Sequence, residues 1–382
     1  MPITAHWFLP TSGDSKTLLG SGRVLARSDR RIDDAPGDRP ASVKYLGQVA
    51  RAADELGFTA ALTPTGTWCE DSWLITAALT QVTERLKFLV ALRPGVQSPT
   101  LAAQAAATYQ RLSGGRLLLN TVIGGDDTEQ RRYGDYLDKD ARYARADEWL
   151  QVVRGVWSGE PFSLEGEHIR VTDALLLNPP QWPEIYLGGA SAAALRTAAR
   201  QADVYLTWGE PPAQVAEQLA RVREQQARLR ELENPLRFGI RLHVVARASA
   251  DDAWAAAEAL IADADQATID AAQGVLSGAV SEGQQRQIAL HKGNRDNLEV
   301  SPNLWAGLGL LRPGAGTALV GSYDEVADRI AEYHELGIDE FIFSGYPHLE
   351  EAYETGEGLL PVLRRRGLLV DRLTPAPEPA AA

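Results

Sequence analysis

The sequence predicts a closed (β/α)₈ barrel, and three observations carry that reading. Eight short, β-rich, apolar runs follow one another along the chain with helical patterns between them. The runs are apolar on both sides of their alternation, as strands covered by helices must be. No GxGxxG follows the first run, which argues against an open dinucleotide-binding sheet.

The elements fall in order. HWFLP (6–10) is the first strand. Residues 43–57 place Tyr45, Val49, Ala52, Ala53 and Leu56 at helical spacing, and Gly57 supplies the stop. AALTPTG (60–66) is the second strand, with a helix from Asp71 to Arg85 behind it; LKFLVALRPG (86–95) is the third, with a helix over 100–112. RLLLNTVIGG (116–125) precedes a helix over 140–157, and EIYLGGAS (184–191) runs into a helix at 191–201. DVYLTWGEP (203–211) precedes a helix over 212–230, LRFGIRLHVVAR (236–247) is the seventh strand, and EFIFSGYPH (340–348) is the eighth. The expected organisation is one domain over 1–366, followed by a frayed Pro/Ala-rich tail over 367–382. Insertions at 12–42, 158–183 and 265–320 break the rhythm. Their place on the strand-to-helix side makes them candidate lids at the C-terminal face.

Composition narrows the function. An apolar content of 45% and a charged content of 23% are those of a soluble globular protein. The formal charge of −13 argues against nucleic acid or an anionic membrane as partner, because both require Lys and Arg to neutralise phosphate. A single cysteine, Cys69, rules out an internal disulfide framework, and neither a membrane span nor a secretory signal is legible. A cytoplasmic enzyme is expected.

In such barrels the chemistry sits at the C-terminal ends of the strands. Those ends present Ser12, Cys69 with Glu70, Arg93, Asn120, Gly188-Gly189-Ala190-Ser191, Trp208, Arg241 with His243, and Tyr346 with His348. Arg241 and His243 are two residues apart and so share one strand face, as do Tyr346 and His348. With Arg312 they form a set of guanidinium, imidazole and phenol groups suited to an anion, which the acidic protein must capture locally. HExxH, GxSxG and the Walker A pattern are absent, which leaves metal, acyl-transfer and nucleotide chemistry without support. The 188–191 turn opens a helix and is suited to cradling a phosphate, although such a turn is also ordinary geometry. By themselves, Cys69 reads more often as a small buried apolar residue than as a reactive thiol, and Trp208 reads equally as rim packing and as an aromatic wall against a ring.

The motifs WFLPT, PTGTWCEDSW, RLKFLVALRP, YLTWGEPP, RFGIRLHV, VSPNLWAGLGLLRPGAGTALVG and SGYPHLEEAY resemble the two-component, FMNH₂-dependent alkanesulfonate monooxygenases, which are bacterial luciferase-like flavin barrels. The resemblance runs from about residue 5 to 365. It implies a barrel that receives reduced FMN from a separate NAD(P)H-dependent flavin reductase. Such an enzyme uses O₂ to cleave a C–S bond, yielding sulfite and an aldehyde, and assembles as a homodimer or homotetramer. It implies catalytic roles for Cys69, Arg241, His243, Arg312, Tyr346 and His348. Arg241, His243, Tyr346 and His348 would also hold the substrate, with Ser12 and Trp208. Asn120, Tyr143, Gly189, Ala190, Ser191 and Trp208 would face the flavin. Arg312, inside the long insertion, is expected to arrive when that insertion closes as a lid. Alkane-type members resemble PTHGD where this chain has PTSGD, so Ser12 stands in place of an imidazole at the pocket mouth. A bulkier polar sulfonate such as sulfoquinovose is therefore a candidate substrate. Two rival readings stand beside this one: hydride transfer with a deazaflavin or flavin in the same barrel superfamily, and a non-catalytic flavin- or anion-binding barrel.

Overall fold

The structure, a computed structural model, describes residues 2–20, 38–229, 235–278 and 281–370. Parts of the 12–42 and 265–320 insertions and most of the expected tail lie outside the described residues. Thirteen strands are described: β1 (Thr4–Phe8), β2 (Ala60–Thr63), β3 (Lys87–Leu92), β4 (Leu117–Thr121), β5 (Phe162–Glu165), β6 (Arg170–Ala174), β7 (Ile185–Gly188), β8 (Val204–Trp208), β9 (Arg237–Arg247), β10 (Glu299–Ser301), β11 (Leu304–Trp305), β12 (Ala318–Ser322) and β13 (Glu340–Ser344).

Eight of them close a parallel barrel in the order β13-β1-β2-β3-β4-β7-β8-β9, with β9 returning to β13. The remaining strands lie outside the ring. β5 and β6 form an antiparallel hairpin in the 158–183 insertion. β10, β11 and β12 build an antiparallel extension that the sequence reading did not foresee, since it took 265–320 as a loop. That segment also holds helices at Gln266–Leu276 and Glu282–His291.

Local chemistry sets the helix ends. Ser42 caps Val43–Leu56 by accepting from Tyr45 N–H, and Gly57 ends it at φ 89°, a left-handed conformation that costs glycine little. The ring's interior is apolar at mid-height, where Ala60, Leu62, Leu89, Leu118, Tyr186, Val204 and Ile342 interlock. Each large side chain buried there stabilises the fold by roughly 1.5–3 kcal/mol.

The two ends of the barrel are polar. At the N-terminal end Glu340 accepts from Tyr186 Oη at 2.6 Å and from Arg237 at 2.5 Å, and pairs with His6 Nε2 at 3.0 Å. At the other end β9 outruns its neighbours. Its first part pairs with β8 and β13, and its last five residues pair with β12. His243 stands where the partners change, opposite Ser344 on β13 and Ala318 on β12.

Candidate active site

The register of β9 and β13 assembles the centre of the site. Arg241 lies beside Ile342 on one flank and Trp208 on the other, and His243 lies beside Ser344. Arg241 donates to Ser344 Oγ at 2.8 Å, and Ser344 Oγ lies 2.7 Å from His243 Nδ1. On the far side of the imidazole, Nε2 is 3.1 Å from Ala315 O and in contact with the Arg312 guanidinium, which also donates to Ala315 O at 3.3 Å. Tyr346 stacks on His243, with centroids 5.5 Å apart and planes 20° apart. Arg312 lies 5.7 Å above that same phenol ring, and the edge-on ring of His348 lies 4.7 Å from it. Arg241 covers Phe8 at 4.5 Å. Burial, followed by the neighbouring Arg312 and Arg241 charges, holds the His243 pKa well below the ordinary histidine range, so the ring is neutral.

The insertion brings Arg312 to this point. Gln284 accepts from Gly314 N–H and Gln287 from Gly316 N–H, both at 2.9 Å. Gln287 also donates to Gly209 O at 2.9 Å, beyond the end of β8, and Thr317 Oγ1 donates to the same carbonyl. Arg286 grips Glu210 alongside. Amide side chains thus strap the Arg312 segment to β8. Arg312 is docked in this structure and is 4% exposed, the position expected for it with the insertion closed.

His348 is held from the first strand's loop. Asp14 accepts from His348 N–H at 2.7 Å, from its Nδ1 at 3.0 Å and from the Tyr45 hydroxyl. Burial pushes the Asp14 carboxyl up, but His348 and Tyr45 outweigh it, and the net shift is below the usual range. Ser12 is half-buried on the same turn as Asp14. The base of the 12–42 insertion is pinched there, because Asp14 and Arg39 exchange backbone hydrogen bonds and Arg39 pairs with Glu350.

The remaining sites lie around the rim. Cys69 Sγ lies 3.5 Å from Gly66 O and 3.7 Å from Pro64 O in its own loop. Arg93, at the end of β3, pairs with Glu129 at 2.7 Å and lies 5.4 Å over the Tyr133 ring. Asn120 is half-buried on β4, paired across to Ala91 and Tyr186. Trp208 ends β8 beneath Gly283 of the insertion helix.

The 188–191 turn is tightly cut. Gly189 has φ 139°, and a Cβ there would fall 2.6 Å from Tyr143 Oη and 2.7 Å from Ala194 Cβ. Its carbonyl accepts from Tyr205 Oη at 2.7 Å, and Ala190 O accepts from Arg221 at 3.2 Å. Ser191 caps the helix Ala192–Gln201 by accepting from Ala194 N–H. The structure therefore joins Tyr143 to Gly189, and it gives Ser191 a capping task that sequence reasoning did not assign.

Residues 7–340 match the luciferase-like monooxygenase family, a span of most of the chain. The chain belongs to that family. Solved structures share the luciferase-like fold. A riboflavin lyase, crystallised with modified FMN and riboflavin, superposes with a TM-score of 0.78 at 18% identity, covering 97% of this chain and 93% of the other. A long-chain alkane monooxygenase gives 0.77 at 18% identity, with 98% and 94% covered. DmoA from Hyphomicrobium sulfonivorans gives 0.74 at 19%, with 97% and 90% covered. At these identities the likeness concerns the fold.

In this luciferase-like barrel, Arg241, His243, Arg312, Tyr346 and His348 form one contiguous cluster, whereas Cys69 contacts its own loop. Sequence reasoning missed Ser344 and Asp14. Ser344 is four residues before His348, on the inward alternation of β13. Asp14 is in the PTSGD motif itself, two residues past Ser12. Among the described residues no group of three or more His, Cys, Asp or Glu is placed to hold a metal. Nor is any described helix long and apolar enough to cross a membrane.

Proposed function

We propose that the chain is a two-component monooxygenase that uses FMNH₂ and O₂ to cleave the C–S bond of an organosulfonate, releasing sulfite and an aldehyde. One observation carries the reading. Arg312 is buried against neutral His243, with Arg241 one hydroxyl away, and no carboxylate of the described residues pairs with Arg312. A buried guanidinium with no counter-charge is costly, and an anionic ligand relieves that cost. The sulfonate head is such a ligand, and the planar forks of two arginines match its oxygens.

The turn at 188–191 fits a flavin phosphate. Glycine at φ 139° keeps the backbone clear of a Cβ, the helix Ala192–Gln201 starts there, and Tyr143 and Arg221 border it. Bound reduced flavin, supplied by a separate NAD(P)H-dependent reductase, would bring the two electrons and the site of O₂ activation. The chain does the rest. Arg312, Arg241 and His243 would hold and orient the sulfonate, the strapped insertion would exclude water, and Tyr346, stacked on His243, or an Arg–His pair would handle the proton taken from the substrate. Ser12 at the mouth favours a hydroxylated substrate such as a sugar sulfonate.

The test is sulfite release with a flavin reductase, NADPH, FMN and O₂ across sulfonates including octanesulfonate and sulfoquinovose. Sulfite should appear, with the sugar sulfonate preferred. Silence across the panel refutes the function, and a strong preference for the alkane refutes the substrate choice. Gly189→Ala should weaken FMNH₂ binding by at least about tenfold, since both the backbone angle and the space are lost. An anaerobic fluorescence titration reads this, and an unchanged affinity places the phosphate elsewhere.

A further inference from the structure

We propose that Asp14 is a positioning residue that holds His348 with its hydrogen on Nδ1 and its Nε2 bare, so that Nε2 takes a proton from the substrate bound by Arg241 and Arg312. The identity of that substrate rests on the function proposed above; the state of the ring does not.

The donors around Asp14 decide the tautomer. Its Oδ1 accepts from Ser15 N–H at 2.9 Å, and its Oδ2 accepts from His348 N–H at 2.7 Å and from the Tyr45 hydroxyl. Arg39, which only donates, reaches that phenol oxygen at 3.5 Å, so the phenol hydrogen is left for Asp14. Burial opposes the charge on Asp14, but His348 and these donors outweigh it and keep the carboxyl ionised. An ionised carboxylate only accepts. His348 Nδ1, 3.0 Å from Oδ1, therefore donates to it, and a neutral ring is bare at Nε2.

The opposite tautomer fails at both nitrogens. It would set the Nδ1 lone pair against Oδ1, and it would leave Nε2–H without an acceptor. His348 is 2% exposed, and its Nε2 has no hydrogen-bond partner among the described residues. An unmade hydrogen bond of this kind shifts an equilibrium by roughly 5- to 150-fold.

The ring also stands inside the anion cluster. Phe8 lies 5.5 Å from it at a tilt of 33°, and Tyr346 lies 4.7 Å from it edge-on. Each of those rings carries a guanidinium, Arg241 over Phe8 and Arg312 over Tyr346, and His243 stacks on Tyr346. The charged and titratable groups around His348 are thus Arg241, Arg312, His243, Tyr346, Tyr45 and Asp14, with Glu350 drawn off by Arg39. The two guanidinium groups hold the anion. His348 Nε2 takes one proton from the substrate, the bonding electron pair stays on the substrate, and the Asp14 carboxylate offsets the charge that the ring acquires. Asp14 itself touches neither substrate nor cofactor. Trp7 Nε1 donates to His348 O at 3.2 Å, so the backbone of His348 has a second anchor and the ring is what Asp14 governs.

Nitrogen-15 NMR of the full chain with labelled histidine tests this. The protein has six histidines, and the His348 signals are identified by their loss in His348→Gln. The ligand-free wild type should show His348 as the neutral Nδ1–H form, a spectrum that requires no change at Asp14. Asp14→Asn replaces two acceptor oxygens by one, so an amide N–H must face part of the donor set. Where it faces Nδ1, the ring hydrogen moves to Nε2. The Nε2–H form should therefore appear in Asp14→Asn, and kcat for sulfite release should fall by at least about 10²-fold while KM stays within about threefold, because Arg241 and Arg312 still hold the anion. A wild-type ring with hydrogen on Nε2, alone or together with Nδ1, overturns the inference. So does an Asp14→Asn protein that keeps the wild-type tautomer, keeps its kcat, or loses activity through KM. The expected tautomers in both proteins, with no turnover of any sulfonate, would uphold the role of Asp14 and count against the proposed function alone.

Discussion

Arg312→Ala should lower sulfite release by roughly 10²–10³-fold, the scale of losing a preorganised charged donor at a reacting group. The side chain is 4% exposed, touches His243 and Tyr346, and pairs with no carboxylate of the described residues, so its charge has no other evident task. Its backbone is held independently through Gln284 and Gln287, so the alanine variant keeps the insertion in place. Binding of reduced FMN should therefore change by less than about twofold, since the turn at 188–191 proposed for the phosphate lies on another strand. Parallel sulfite kinetics and anaerobic flavin titration separate the two effects. A large loss of flavin affinity, with turnover surviving at saturating flavin, would place Arg312 on the cofactor instead.

Glu340→Gln should destabilise the fold by about 3 kcal/mol, because it strips the charge from a buried cluster and leaves Arg237 and His6 facing a neutral amide. The carboxylate is 1% exposed and accepts from Tyr186, Arg237 and His6 at the N-terminal end of the barrel, away from the chemistry. Burial alone would raise its pKa. The bonds and charges of His6, then Arg237 and Tyr186, outweigh burial, and the net shift is downward. A carboxyl lowered in the folded state contributes stability that is complete above its unfolded value, near 4.3, and is lost as pH falls through the folded value. Chemical unfolding of both proteins should thus show a gap that shrinks below about 4.3. A gap that widens on acidification would mean that Glu340 is protonated in the native state.

The barrel was legible because its cause is local. Alternating apolar strands, and helices bounded by Ser42, Gly57 or Ser98, carry their signals within a few residues. The extension β10–β12 was not legible. β12 is only Ala318–Ser322, and it gains strand character by pairing with the overhang of β9, a partner more than seventy residues away in sequence. The same division holds at the site. Arg241 with His243 and Tyr346 with His348 were readable as same-face pairs. Ser344 and Asp14 act through partners 101 and 334 residues distant, and small polar residues of common type announce no such pairing. Arg312 was placed by likeness of motif alone. That it is already docked follows from glutamine-to-backbone straps, which have no periodicity to read.

The central claim is C–S bond cleavage coupled to oxygen, and one turnover tests it most directly. The protein, loaded without oxygen with FMNH₂ and a sulfonate on which it is active in the coupled assay, is mixed rapidly with oxygenated buffer, and sulfite and hydrogen peroxide are counted against FMN formed. The account predicts about one sulfite per flavin oxidised and little peroxide, with none formed before oxygen is admitted. Peroxide in place of sulfite, or flavin oxidised by the organic substrate before oxygen arrives, would contradict it.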